Sequence, residues 1–205
     1  LHLSLRRQRQ MCIRDRNTIS NTFNFQIVTY IDLRQNNSIE SIITNIINII
    51  SNDNNEARDF AVLASSTKLL RNIDILYRQR TNEQTEITFI SNETLERLKQ
   101  IHQVTDEKAA NWKFNRDFEA LERTRKQLFT TDKHCLKMST IQSFKGWESP
   151  SVIVILENDI VLHNTTFRPM SPQTIYTAIT RARENMYIIN IGNDTYHNFF
   201  YNQTL

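Results

Sequence analysis

Lys137-Met138-Ser139-Thr140-Ile141-Gln142-Ser143-Phe144-Lys145-Gly146-Trp147-Glu148 is the stretch that decides how this chain reads. It begins as a short strand and breaks into a polar turn, with Lys145, Gly146 and Glu148 grouped at the break. Gly146 is one of only two glycines in the chain. A backbone that turns tightly beside a ligand needs either positive φ or the absence of a side chain. An apolar run, Val152–Leu156, follows at once and predicts a second strand. Downstream, Tyr176-Thr177-Ala178-Ile179-Thr180-Arg181-Ala182-Arg183-Glu184 predicts a helix carrying arginines, and Met186–Ile191 a third strand.

The same alternation extends upstream. Phe23–Tyr30 alternates apolar and polar residues and then turns apolar, which predicts a strand. Asn37 or Ser38 can cap the next helix, with Glu40 placed to reach back. Ile39, Ile42, Ile43, Ile46, Ile49 and Ile50 recur on one face of that helix. Phe60–Ala64 is a short apolar run of the kind found in buried parallel strands. Ser65-Ser66-Thr67 offers a cap, and Leu69, Leu70, Ile73, Leu76 and Tyr77 make the inward face of a second helix. Ile87–Ile90 predicts another strand. Repeated strand-helix alternation implies an α/β fold: a parallel sheet covered by helices on both faces.

Residues 93–130 interrupt the rhythm with a helical insertion. Leu95, Leu98 and Ile101 suit one helix; Ala109, Trp112, Phe118, Leu121 and Leu128 suit a second. Arg116, Arg123, Arg125 and Lys126 lie among acids on the second helix. They suit either a DNA-facing surface or a solvated face of mixed charge, and the mixture favours the latter. Trp112 is expected in the core. After Pro169 and Pro172, where proline suits a helix's first turn, Asp194 is expected to cap a last helix that buries Phe199 and Phe200.

The first sixteen residues stand apart. Arg6–Arg16 resembles one translated frame of a transposase-based sequencing-library adapter, which implies that 1–16 are foreign and that 17–205 form the domain. The alternative is a basic arm that binds nucleic acid. Residues 1–16 hold five arginines and one aspartate, so the remaining chain has 25 − 5 = 20 basic and 22 − 1 = 21 acidic residues. The overall charge of +3 therefore says nothing about a polyanionic partner, and any DNA contact must be local. Cys12 belongs to that segment. Cys135 is left alone, without disulfide or zinc spacing, as suits a reducing cytoplasm. No apolar run is long enough to span a membrane.

Ser139–Glu148 resembles motif V, and Tyr176–Asn185 motif VI, of UvrD/Rep-type superfamily 1 DNA helicases. The resemblance is sharp over Leu136–Phe200 and architectural over Phe23–Ile90. It implies the second RecA-like motor domain of an ATP-dependent helicase that moves 3′ to 5′ on single-stranded DNA, with ATP and Mg²⁺ as cofactors. Arg181 would be the arginine finger, since a guanidinium is always charged and makes forked contacts with phosphate. Glu148 would accept from the ribose hydroxyls. Gly146, Lys145 and Tyr176 would complete the nucleotide side, Lys145 facing either a phosphate or an interdomain carboxylate. Tyr176 could equally be a plain core aromatic. Arg183 would be an interdomain or surface charge on another helix face. Thr140, Gln142 and Ser143 would contact the DNA backbone as neutral donors; Gln142 departs from the histidine common there.

No Gly-x-x-x-x-Gly-Lys-Ser/Thr loop occurs in the chain, nor an acidic pair suited to Mg²⁺ after a strand. The resemblance therefore implies half a motor. The missing first RecA-like domain would hold the phosphates and the metal. Two other readings stay open: a non-enzymatic α/β nucleic-acid-binding module, and the regulatory half of a helicase-nuclease.

Overall fold

Apolar runs at Phe60–Ala64 and Val152–Leu156 pack on both faces, so they belong in the middle of a parallel sheet. They do lie there. In this computed structural model, which describes residues 27–53, 56–105, 111–158 and 170–203, six strands pair in the order β1-β6-β5-β2-β4-β3. The strands are β1 (Ile27–Asp32), β2 (Phe60–Ala64), β3 (Thr85–Ile87), β4 (Leu136–Thr140), β5 (Ser149–Leu156) and β6 (Ala182–Asn190), and every pair is parallel. Residues 1–16 and 23–26, Ala109 and Pro169 lie outside the described residues.

Helices α1 (Ile39–Asn52) and α2 (Thr67–Thr81) cover one face. Ile42, Ile43, Ile46 and Ile49 meet Leu70, Ile73 and Tyr77 there, above Val62, Ala64, Met138 and Ile153. The alternate residues of the same strands, Ala61, Leu63, Val152 and Val154, face the other layer. That layer is made by α5 (Pro172–Ile179), α6 (His197–Gln203) and the turn after β4, through Ile175, Ala178, Phe200, Ile141 and Phe144. The fold is the α/β architecture expected, a helix-covered parallel sheet consistent with a RecA-like domain.

Caps mark the helix starts. Ser38, Ser66 and Ser171 each accept a backbone N–H from the first turn of the helix they precede. Pro172 occupies the first turn of α5. The expected cap at Asp194 is corrected: the Asn193 side chain accepts from Tyr196 N–H, while Asp194 forms an ion pair with Arg34. Asn193 is held in place by donating to the Glu157 carbonyl, which fixes the chain's entry into α6.

The insertion is a helical hairpin, α3 (Asn92–His102) and α4 (Trp112–Leu128). It has its own small core of Ile90, Leu95, Leu98 and Phe114. Three expectations fail at its surface. Trp112 is 65% exposed, Ile101 72% and Leu128 65%. A two-helix hairpin buries one narrow stripe, and Phe114 takes the position expected for Trp112. The edge strand is also shifted: Thr85–Ile87 pairs with Leu136–Met138, whereas Phe89 and Ile90 lie past the strand's end. Phe199 is 57% exposed, because α6 turns only Phe200 inward.

Candidate nucleotide and nucleic-acid site

The two groups of candidate residues lie at opposite edges of the sheet. β4 and β5 both run parallel to β2. The connection 141–148 must therefore cross from the carboxyl edge of one strand to the amino edge of the other. It does so over the second face, anchored by buried Ile141 and Phe144, with Trp147 edge-on against Phe129 at 5.6 Å. Thr140, Gln142 and Ser143 remain at the carboxyl edge; Lys145, Gly146 and Glu148 reach towards the amino edge.

At the carboxyl edge, Thr140 closes the turn. Its Oγ1 accepts Ser143 N–H at 3.1 Å and donates to Ser143 Oγ at 2.9 Å. This leaves the Ser143 hydroxyl proton available as a donor outside the pair. Gln142 is exposed between them. Gly146 has φ +90, the left-handed region, and a Cβ there would meet nothing within 4 Å. The turn therefore needs glycine for its backbone and not for space. Lys145 and Glu148 are exposed on either side of it.

At the amino edge the two motif-like segments meet. Arg181 is not helical, contrary to the sequence expectation. α5 ends at Ile179; Arg181 N–H bonds the Ala178 carbonyl at 3.1 Å, and β6 begins at Ala182. Pairing of Ala182 with Ser149 competes with a further helical turn and wins. Arg183 consequently lies in β6, exposed, and not on another helix face. The Arg181 guanidinium folds back over the end of α5. It donates to Thr177 O at 3.1 Å, Trp147 O at 3.3 Å and Thr180 Oγ1 at 3.0 Å. The Arg181 carbonyl in turn accepts Ser149 N–H at 3.0 Å. Late carbonyls of a helix lack intrahelical partners and lie at its negative pole, which suits a cation. Arg181 is thus tied to the peptide carbonyl that directly precedes Glu148. Tyr176, one turn back, is 65% exposed and so is no core aromatic.

Glu157, just past β5, has a role the sequence reading missed. Its carboxylate accepts Ser65 N–H at 2.5 Å and Ser66 N–H at 2.8 Å, at the start of α2. Burial holds the carboxyl above its ordinary range, against the pull of those amides. No residue type announces this contact: only the pairing of β2 with β5 brings together Ser65-Ser66 and Glu157, which follow their carboxyl ends. Elsewhere, Cys135 is half-buried with its thiol pushed up by burial, and His134 contacts Arg58. Among the described residues no group of three or more His, Cys, Asp or Glu is placed to hold a metal, and no helix is long and apolar enough to cross a membrane.

No protein-family model matches the chain, and no curated protein does. Among solved structures, the C-terminal domain of a possible DNA helicase from Lactobacillus plantarum WCFS1 aligns over 81% of this chain and 74% of that one, at 15% identity and a TM-score of 0.47. A likeness of this degree fixes no residue's role.

Proposed function

We propose that this chain is the second RecA-like domain of an ATP-dependent DNA helicase of the UvrD/Rep type. The observation that carries the reading is the Arg181–Trp147 hydrogen bond together with the Ser149–Arg181 backbone bond. These join the finger candidate to the segment bearing Glu148, the ribose-binding candidate. The rest of the reading comes from the motif resemblance.

The residues present suit a nucleotide held at the surface of this domain. Glu148 offers an exposed, acceptor-only carboxylate for paired ribose hydroxyls. Tyr176 offers an exposed ring, and the glycine turn at Gly146 lets the backbone approach closely. ATP supplies the phosphoanhydride whose hydrolysis drives movement; its phosphates and Mg²⁺ would be held by the first motor domain. Arg181 exchanges its carbonyl acceptors for phosphate oxygens when the two domains close, and neutralises the charge that develops as the bond breaks. An arginine finger is worth ~10³–10⁵ in rate where it has been tested. Thr140, Gln142 and Ser143 position the DNA backbone from the opposite edge, so that closing and reopening the cleft ratchets the strand 3′ to 5′. Because the 141–148 crossing links both edges, release of Trp147 O by Arg181 gives a direct mechanical route between the nucleotide and DNA sides.

An independent read of the parent DNA upstream of Asn17 tests this. A phosphate-loop domain in frame supports the motor. A complete short gene would instead make the chain a stand-alone nucleic-acid-binding module, and a fused nuclease would make it a regulatory half.

A further inference from the structure

A groove of about 950 Å³ opens between α2, α3 and α4, lined by Ser66, Lys68, Arg71, Lys99, Asn115 and Glu119 among others. Its Ser66 end adjoins the polar turn after β4, because Ile141 N–H donates to Ala64 O at 3.0 Å, two residues before Ser66. At the α4 wall, Trp112, Asn115 and Glu119 follow the i, i+3, i+7 spacing of a single helix face. Trp112 therefore stands in line with the wall of the groove, at the first turn of α4.

Trp112 contributes nothing to the hairpin core, which Phe114 fills. Its ring is 65% exposed. Two exposed cations lie over it: Arg116, with Cζ 5.4 Å from the ring centroid, and Lys113, with Nζ 5.8 Å away. Both distances fall within the range of cation–π attraction. An open π-face attended by cations, in line with a groove carrying Lys68, has the chemistry that holds unpaired bases and their phosphates. The groove and its rim are not uniformly basic: Glu119 lines it, Lys99 pairs with Glu96 at 2.9 Å, Arg116 pairs with Asp117 at 2.9 Å, and buried Arg71 donates to Ile90 O at 3.0 Å. Stacking must therefore supply more of the binding than bulk charge does.

We propose that Trp112 is a stacking platform for one base of a single-stranded polynucleotide, with Lys113 and Arg116 meeting the flanking phosphates and the groove continuing the strand's path from Thr140 and Ser143. The incoming base displaces one flexible cation from the ring, and that cation turns to a phosphate. The inference rests on the nucleic-acid reading above and adds a contact on the helical insertion.

The test is a titration of the full chain with an oligothymidylate at low salt, reading tryptophan emission and the anisotropy of a labelled strand. The wild type should bind with quenched emission. Trp112→Ala should weaken binding by roughly 5- to 150-fold. Trp112→Phe, which keeps a stacking face, should stay within about a few-fold of the wild type while losing the quench. A Trp112→Ala chain that binds the single strand as tightly as the wild type would overturn the platform alone, provided that Thr140→Ala with Ser143→Ala still weakens binding. Equal weakening on a blunt duplex would also overturn it, since paired bases offer no face to stack. A wild-type chain that binds no oligothymidylate would overturn both the platform and the broader DNA reading.

Discussion

Arg181 shows how much of a residue's role depends on where its element stops. The pattern Thr180-Arg181-Ala182-Arg183 was legible as a chemical motif but not as geometry. Local propensity extends the helix, whereas the β5–β6 ladder ends it two residues before Arg181. Glu157 was illegible because its partners are backbone amides of a distant segment, which no residue type announces. It carries a pH prediction. A group whose folded value is raised contributes stability below its unfolded value, and loses that contribution as pH rises through the folded value. Glu157→Gln keeps an acceptor and removes the titration. Relative to that variant, the wild type should lose stability as pH climbs past its ordinary value of 4.5, read from urea midpoints. Glu157→Ala, which removes the carboxylate that accepts from the Ser65 and Ser66 amides, should cost about 1–3 kcal/mol. Gly146→Ala meets open space but must adopt φ +90, so a loss of about 1–2 kcal/mol in thermal unfolding is expected from backbone strain alone.

Among the elements, the central strands were the easiest to find. β2 and the Val152–Leu156 part of β5 are buried on both sides, so they are written as unbroken apolar runs. The edge strand β3 has one neighbour, and its apolar residues continue past its end, which is why Ile87–Ile90 misled. The helical insertion was found as helices, and Leu95, Leu98, Phe118 and Leu121 face its core as expected, whereas Ile101, Trp112 and Leu128 do not. Two helices with few neighbours bury only a stripe, and apolar residues at both ends of α4 are left outside. The hairpin should therefore respond unequally to substitution. Phe114→Ala removes a fully buried ring and should cost about 3–5 kcal/mol, with amide exchange in α3 and α4 rising before the rest of the sheet. Trp112→Ala should change stability by no more than about 0.5 kcal/mol.

In the molecule as a whole, topology sets the candidate sites apart and then connects them. A parallel sheet puts every strand's carboxyl end at one edge. A short crossing between β4 and β5 therefore has to traverse the domain, bearing hydroxyl donors at one end and Glu148 at the other. The sequence supplied both ends, but only the fold shows that Arg181 grips the crossing from the amino edge. The proposal is that this grip serves nucleotide hydrolysis stimulated by single-stranded DNA. The most direct test is single-strand-stimulated ATP turnover by the intact polypeptide that the parent gene encodes, compared with its Arg181→Ala and Arg181→Lys variants. Turnover should fall about 10³–10⁵-fold in Arg181→Ala, and lysine, lacking the planar fork, should not restore it. Turnover that persists at the wild-type rate in Arg181→Ala would contradict the account.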